Sequence, residues 1–552
     1  MKFMHQKKWM IITPLILFII LFFTGAGKSD LLRKIARSQK RLNDVYKYLV
    51  LNYVDEIDID KFTSETIHNI VSEMDPYTVF MEESEQDGLK LLTNGSYGGV
   101  GIQIGKQDGE LTVIAPMEDS PASRAGILSG DVIVKIDSLE TEGMTLNKAS
   151  SLIRGPRGSK VVLTIRRRHL DTPLVFSLTR DKIVINDVAL AEEVEPGLLY
   201  IRLTRFSRNA PAEMKSALQA LVNSRTQGII LDLRDNPGGL LKSAIDILDY
   251  FIPKGETLLY TKGRVRNANR SYLSEHDPIV PERVKVAVLI NGGSASASEI
   301  VAGAIQDLDR GLIIGQTSFG KGLVQSVIDV DSRSALKITT AKYYIPSGRL
   351  IQKPGYIEKD LIEPDSTGKD TLFTTSNGRP VKGGGGITPD ERVEGKRVPL
   401  LTQSVWREGL LFDFVRDHRE DYASFAAVQQ DSSRLVDQFV AFIQSDSIDI
   451  PLPGEQEARE GLQKLREDPA LRSRADSLLQ ELNRNIGKRE HSLFREERGD
   501  LQLAVLQEFA RQMEGAKGRI RFSLPRDPIF RRAATLLTNE AAYNRFLVAK
   551  GE

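Results

Sequence analysis

A chain of 552 residues is too long for one domain, and about 100–200 residues per domain predicts three or four. Lys and Arg number 75 against 74 Asp and Glu, a balance that gives no electrostatic reason to expect a nucleic-acid partner. The 41% hydrophobic content allows a sizeable core, and the absence of cysteine excludes disulfides, thiolate metal sites and a cysteine nucleophile.

At the N-terminus, Lys2, Lys7 and Lys8 precede an apolar run from Trp9 to Phe23, followed by Thr24-Gly25-Ala26-Gly27. A positive start, a short apolar stretch and a small-residue exit predict an export signal over residues 1–26. The run is shorter than the roughly 20 residues of a full span, so cleavage after Ala26 and retention as an inner-membrane anchor both stay open. The expected location is the periplasm or cell envelope. No cysteine follows the run, which excludes a lipid anchor on that residue.

Residues 30–84 form an N-terminal helical segment by pattern. Leu31, Leu32, Ile35, Leu42, Val45 and Leu49 recur near helical spacing, and a second run, Phe62, Ile67, Ile70, Val71 and Met74, stops at Asp75-Pro76. A strand-rich module follows at 88–170. Its strands are Val100–Ile104, Leu111–Ile114, Asp131–Ile136 and Val161–Ile165, with a helix at Leu146–Ile153. Residues 171–395 alternate strand and helix signals. The strands are Leu199–Leu203, Gly228–Leu233, Val284–Ile290, Leu312–Ile314 and Ala335–Lys342, and the helices Ala212–Asn223, Leu240–Phe251 and Ala297–Asp307. That alternation predicts an α/β core around a buried sheet, closed by a flexible stretch at Gly383 to Gly386. Residues 396–552 are charged and helical, with no chemical constellation. A cap, an oligomerisation element and a partner or adaptor surface fit them equally.

The densest chemical signal is Asn291-Gly292-Gly293-Ser294-Ala295-Ser296-Ala297-Ser298-Glu299, between an apolar strand and a helix. Small residues at such a turn expose a side chain at the carboxyl edge of the sheet, and the helix start offers unpaired amides to developing negative charge. A nucleophilic serine fits there, as does a plain serine-capped helix. A hydroxyl needs a base. Of six histidines only His276 falls inside the α/β region, in a loop with nothing local to support a triad. Lys321 follows the strand Leu312–Ile314 between two glycines. Held away from water, its amine would lose its proton more easily and could accept the serine's. Gln325, four positions on, could fix that amine. Gly315 to Lys321 also fits the phosphate-loop pattern G-x-x-x-x-G-K, but Gly322 replaces the Ser or Thr that would hold magnesium, and the continuation reads as strand. Leu231-Asp232-Leu233-Arg234-Asp235-Asn236-Pro237-Gly238-Gly239 is a buried strand ending in a turn able to aim an amide at an oxyanion. Its charged residues form an internal ion-pair network equally well, and without a histidine partner they make a poor metal site.

Together these motifs resemble the C-terminal processing peptidases, or tail-specific proteases, over roughly residues 30–395. Ser294–Ile300, Phe319–Gly322 and Leu231–Gly239 are similar to that family's three core motifs. The resemblance implies a multidomain peptidase with an α/β core of ClpP or crotonase type and an inserted PDZ domain. It assigns the nucleophile to Ser296, the base to Lys321 and the supporting amide to Gln325. The oxyanion donors it implies are Ala297 and a glycine of the turn, Gly238 in preference to Gly239. Ser120–Ile127 with Gly130–Ile133 resembles a protease-type PDZ domain, with Gly99, Val100, Gly101 and Ile102 as its carboxylate loop. Such a loop captures a C-terminus while the peptide adds as a strand. The expected partners are proteins or peptides with exposed C-termini, with no metal and no cofactor. A catalytically inactive PDZ scaffold is the rival reading.

Overall fold

The computed structural model describes residues 30–107, 109–167, 170–356, 371–445, 450 and 452–548. The expected export segment, 1–26, lies outside the described residues. The chain divides into two compact units, Met1–Phe80 with Lys359–Ile362, and Met81–Glu358 with Glu363–Glu552. Among the described residues no helix is long and apolar enough to cross a membrane.

In the first unit a helix covers residues 30–52 and a second covers Ile59–Ser72. Asp58 caps the second by accepting the Lys61 amide at 3.0 Å. Tyr46 stacks on Phe62 with ring centres 5.4 Å apart, and its hydroxyl meets Thr63 at 2.7 Å. The second helix ends at Ser72, just before the stop read from the sequence at Asp75-Pro76. Asp75 turns the chain by accepting the amides of Tyr77 and Thr78, and Val79–Glu82 is extended. A further helix, Glu83–Asn94, opens the second unit.

The strand-rich module contains β1 (Ile102–Gln107), β2 (Glu110–Pro116), β3 (Val132–Ile136), β4 (Lys160–Arg166) and β5 (Leu174–Thr179), in that order across an antiparallel sheet. Helix α1 (Leu146–Ile153) packs Ala149 and Ile153 into a core with Val113, Ile133 and Leu163. Among the described residues β1 lies at the sheet edge, paired only with β2. An antiparallel ribbon of Ser96–Gly99 with Asp181–Val184 carries the chain in and out of this module.

The sheet of the α/β region has the order β6 (Val188–Glu195), β7 (Leu198–Leu203), β8 (Gly228–Asp232), β9 (Lys285–Ile290), β10 (Leu312–Gly315) and β11 (Glu391–Arg392). β6 runs antiparallel to β7, and the other pairings are parallel. Parallel strands buried on both faces read as unbroken apolar runs, which is why β8 and β9 stand out in the sequence. One face packs α2 (Ala210–Leu221), α3 (Leu241–Leu248) and α4 (Ala297–Asp307) over Ile201, Leu231 and Val288.

The opposite face is covered from the far end of the chain. α5 (Pro528–Thr538) seats Ile529, Phe530, Ala533 and Leu537 on Tyr200, Ile230, Ala287 and Leu289, and α6 (Glu540–Leu547) adds Tyr543. Phe530 meets Tyr200 edge-on at 5.8 Å, and the Tyr543 hydroxyl bonds the Val286 backbone. The end of the helical region 396–552, for which a cap, an oligomerisation element and a partner surface fitted equally, therefore supplies the second layer of the α/β core. Between β11 and α5, helices within Leu400–Ser523 bury their own core of Leu401, Phe414, Phe439, Leu501 and Phe509.

Candidate active site

Ser294, Ser296 and Ser298 sit in the turn from β9 to α4, and their surroundings separate them. The Ser294 hydroxyl is buried, donates to the Leu233 carbonyl at 2.8 Å and accepts the Asn291 amide at 3.0 Å. The Ser298 hydroxyl is buried and donates to the Asn236 carbonyl at 2.8 Å. Ser296 alone of the three reaches the surface. Its φ of 55° and ψ of −112° lie in a region that side-chain-bearing residues rarely occupy. Such strain costs about 1–3 kcal/mol and persists only where the surroundings enforce it.

Glu299 does much of the enforcing. Its side chain is fully buried at 0% exposure and accepts four donors. Oε2 takes the Ser296 amide at 2.8 Å and the Lys321 amide at 2.9 Å; Oε1 takes the Ser318 hydroxyl and the Gly320 amide, each at 2.6 Å. Burial pushes the Glu299 carboxyl above its ordinary range, and the four donors pull it back only in part. The Phe319 amide adds a direct bond to the Ser294 carbonyl at 3.0 Å. From the other side, the Tyr343 hydroxyl lies 3.1 Å from the Ser296 carbonyl oxygen and 2.5 Å from that of Lys321. The nucleophile turn and the lysine loop are thus fastened together, with the Lys321 side chain half-buried.

The glycine stretch at Gly383 to Gly386 packs against this loop. A Cβ built on Gly320 would come within 3.1 Å of the Gly386 amide, and one on Gly386 within 2.6 Å of the Ser318 carbonyl. Gln325 lies on the strand Leu323–Asp329, with its side-chain amide 3.4 Å from Thr339 Oγ1. A phosphate loop would open a helix after Lys321, and here it opens a strand.

The turn after β8 lies against the nucleophile turn through Asn236, which is buried. Its carbonyl accepts the Ala295 amide and the Ser298 hydroxyl; its side chain donates to Leu203 and accepts the Gly238 amide at 2.9 Å. A Cβ on Gly238 would fall 2.9 Å from both the Ala297 amide nitrogen and Ser296 Cβ, and φ there is +97°. Only glycine fits. The amides of Gly239 and Ala297 meet no acceptor among the described residues. Asp232 and Arg234 form the ion-pair network allowed by the sequence. Buried Asp232 accepts from Tyr200, Arg202 and Arg234, and Arg234 reaches Asp527 before α5 at 2.5 Å. Asp235 is mostly exposed and bonds Asn291 at 2.8 Å. Among the described residues no cluster of His, Asp and Glu could hold a metal.

His276 sits elsewhere. Its Nδ1 is 2.6 Å from Asp249, just past the end of α3, and its side chain is 77% exposed. α3 starts at the carboxyl edge of the sheet and runs back, so this pair lies at the amino edge. Ser296 lies beyond the other end of β9, whose six residues span about 20 Å.

In the strand-rich module, Tyr97, Val100, Gly101, Ile102, Ile104, Ser150, Ile153 and Arg154 line a cavity of about 30 Å³ between β1 and α1. The loop entering β1 is pinned where the Val100 carbonyl accepts Ala122 and the Gly101 carbonyl accepts Met117. Arg154 sits over the Tyr97 ring at 5.1 Å.

This architecture is that of a serine-type peptidase carrying a PDZ domain and a helical C-terminal domain. Family models agree: peptidase family S41 matches residues 197–365, a PDZ domain 112–167, and the model described as "Probable PDZ-protease, C-terminal helical domain" 401–537. The chain is 38% identical to the carboxy-terminal-processing protease of Bartonella bacilliformis, over 58% of this chain and 74% of that one. It is 36% identical to the carboxyl-terminal-processing protease of Synechocystis sp., over 54% and 71%. Against carboxy-terminal processing protease CtpA of Bacillus subtilis it is 33% identical, over 57% and 67%. The chain belongs to the carboxy-terminal processing protease family of serine peptidases.

Proposed function

We propose that this chain is an endopeptidase that takes exported proteins by their C-termini and cuts them through an acyl-enzyme on Ser296, with Lys321 as the base. The observation that carries this is the shared carboxylate. Glu299 Oε2 holds the backbones of Ser296 and Lys321 at once, and Ser296 is the one serine of the turn whose hydroxyl is not committed to a buried carbonyl.

In the reaction, neutral Lys321 takes the Ser296 proton as Oγ attacks the peptide carbonyl. The tetrahedral oxyanion is held by the Ala297 amide and a glycine amide of the neighbouring turn. Gly239 is the better donor here, because the Gly238 amide already bonds Asn236. A single such donor is worth about 3–4 kcal/mol. Lys321 passes its proton to the leaving amine, the C–N bond breaks, and the N-terminal part of the substrate stays esterified to Ser296. Water, deprotonated by the same amine, releases it. Gln325 steadies the lysine from the adjoining strand.

Substrate arrives through the PDZ module. Among the described residues β1 offers an unpaired edge, and Gly99, Val100, Gly101 and Ile102 lead into it, so an extended C-terminus can add as a strand between β1 and α1 with its carboxylate on that loop. The charged and apolar pattern of residues 1–26 supports export to the cell envelope.

The test is cleavage of a disordered reporter with free and amidated C-termini by wild type, Ser296→Ala and Lys321→Ala. Both variants are expected to be inactive, and amidation to slow the wild type. Wild-type turnover by Lys321→Ala would remove the dyad, and indifference to amidation would remove C-terminal capture.

A further inference from the structure

The strand Ser334–Tyr344 alternates its side chains, so Tyr343 points inward at 1% exposure while Lys342 and Tyr344 point away. A tyrosine so deeply buried needs a partner for its hydroxyl. Here that hydroxyl lies within reach of two backbone carbonyls distant in sequence, those of Ser296 and Lys321. The Ser296 carbonyl already accepts the Glu299 and Ile300 amides of the first turn of α4. It is therefore a fixed point, and the Lys321 carbonyl, at 2.5 Å, is the group that the hydroxyl brings to it. The strand reinforces the contact, since the Tyr343 amide donates to the Gly322 carbonyl at 3.0 Å.

The Ser296 carbonyl belongs to the same peptide unit as the Ala297 N–H. The Glu299 and Ile300 amides already fix that unit, and the single proton of the Tyr343 hydroxyl goes to the nearer acceptor, the Lys321 carbonyl. The Lys321 carbonyl sets where the base starts from its main chain. The hydroxyl thus acts on the main chain of the base, against a helix start that is already fixed, while touching no substrate.

We propose that Tyr343 is a positioning residue of the peptidase reaction, its hydroxyl holding the lysine loop in register with the start of α4. This rests on the Ser296–Lys321 reading above. Proteins held in the productive geometry lose about 100-fold in rate for a displacement of about 1 Å, so loss of a single register bond is visible in kcat.

The experiment compares wild type, Y343F and the neighbouring Y344F, with K321A in parallel. The readouts are kcat and KM on the disordered reporter, the rate of Ser296 labelling by a small fluorophosphonate, and the thermal midpoint. Y343F is expected to lose at least about 10-fold in kcat and in labelling rate, with KM within about 2-fold, while Y344F matches wild type. A Y343F protein that cuts and labels at the wild-type rate, with K321A inactive, overturns the proposal whatever its midpoint. Wild-type rates in K321A sink the dyad instead. Should Y343F fail to fold, Y343M supplies a second donor-free side chain of adaptable shape. Failure of both to fold assigns Tyr343 to the core alone and also overturns the proposal.

Discussion

The amides of Ser296 and Lys321 converge on one atom, Oε2 of Glu299, at 2.8 and 2.9 Å. Capping a helix needs only the first of these bonds. The second ties the helix start to a loop that comes from the next strand. Glu299→Gln keeps the size of the side chain but replaces one accepting oxygen with an N–H₂ facing amide donors. We expect kcat to fall about 100-fold with KM little changed, read from reporter cleavage by protein whose folding is checked by circular dichroism.

Glu299 also sets a pH dependence. Burial raises its carboxyl above the ordinary value of 4.5. A group whose folded value is raised binds its proton more tightly in the native state, so its contribution to stability is fully present below the unfolded value and is lost as pH rises through the folded one. The advantage of wild type over Glu299→Gln in thermal midpoint should therefore shrink as pH rises from the ordinary carboxylate value through the raised one. Unfolding of both proteins across acidic pH checks this. An advantage that grows with pH over that window would contradict it.

Ser294→Ala and Ser296→Ala should part company. The first removes a buried hydroxyl with partners on both sides, at a cost of about 1–3 kcal/mol, and should still label with fluorophosphonate. The second should keep the wild-type stability or exceed it, since a strained, half-exposed serine loses little, and should not label. Denaturant melts paired with labelling of the folded protein separate the two.

The far C-terminus is predicted to be indispensable to the sheet. Phe530→Ala empties a buried site over Tyr200 and should cost about 3–5 kcal/mol by chemical denaturation. Truncation after Ser523 would bare the face of Tyr200, Ile230, Ala287 and Leu289 and should give insoluble protein.

Some of this was legible in the sequence. β8 and β9 are unbroken apolar runs, and the turns after them carry small residues and glycines, so the α/β core and the place of Ser296 and Lys321 could be read from local pattern. What escaped is non-local. Glu299 follows Ser296 at the capping-box spacing, a signal that was there to use, but its bonds to Gly320 and Lys321 bridge residues no local pattern connects. Ile529, Phe530, Ala533 and Leu537 mark an apolar helix face without saying which surface it covers. Nothing in Ser334–Tyr344 marks Tyr343 apart from its neighbouring tyrosine. The proposed preference for Gly239 over Gly238 rests on the Asn236 side chain, whose direction the sequence does not encode.

The most direct measurement is the site and pH dependence of fluorophosphonate labelling, mapped by peptide mass in wild type, Lys321→Ala and His276→Ala. The account predicts a single adduct on Ser296, formed at the same rate without His276 and at least about 100-fold more slowly without Lys321. An adduct on Ser294 or Ser298, or undiminished labelling of Lys321→Ala, would contradict it.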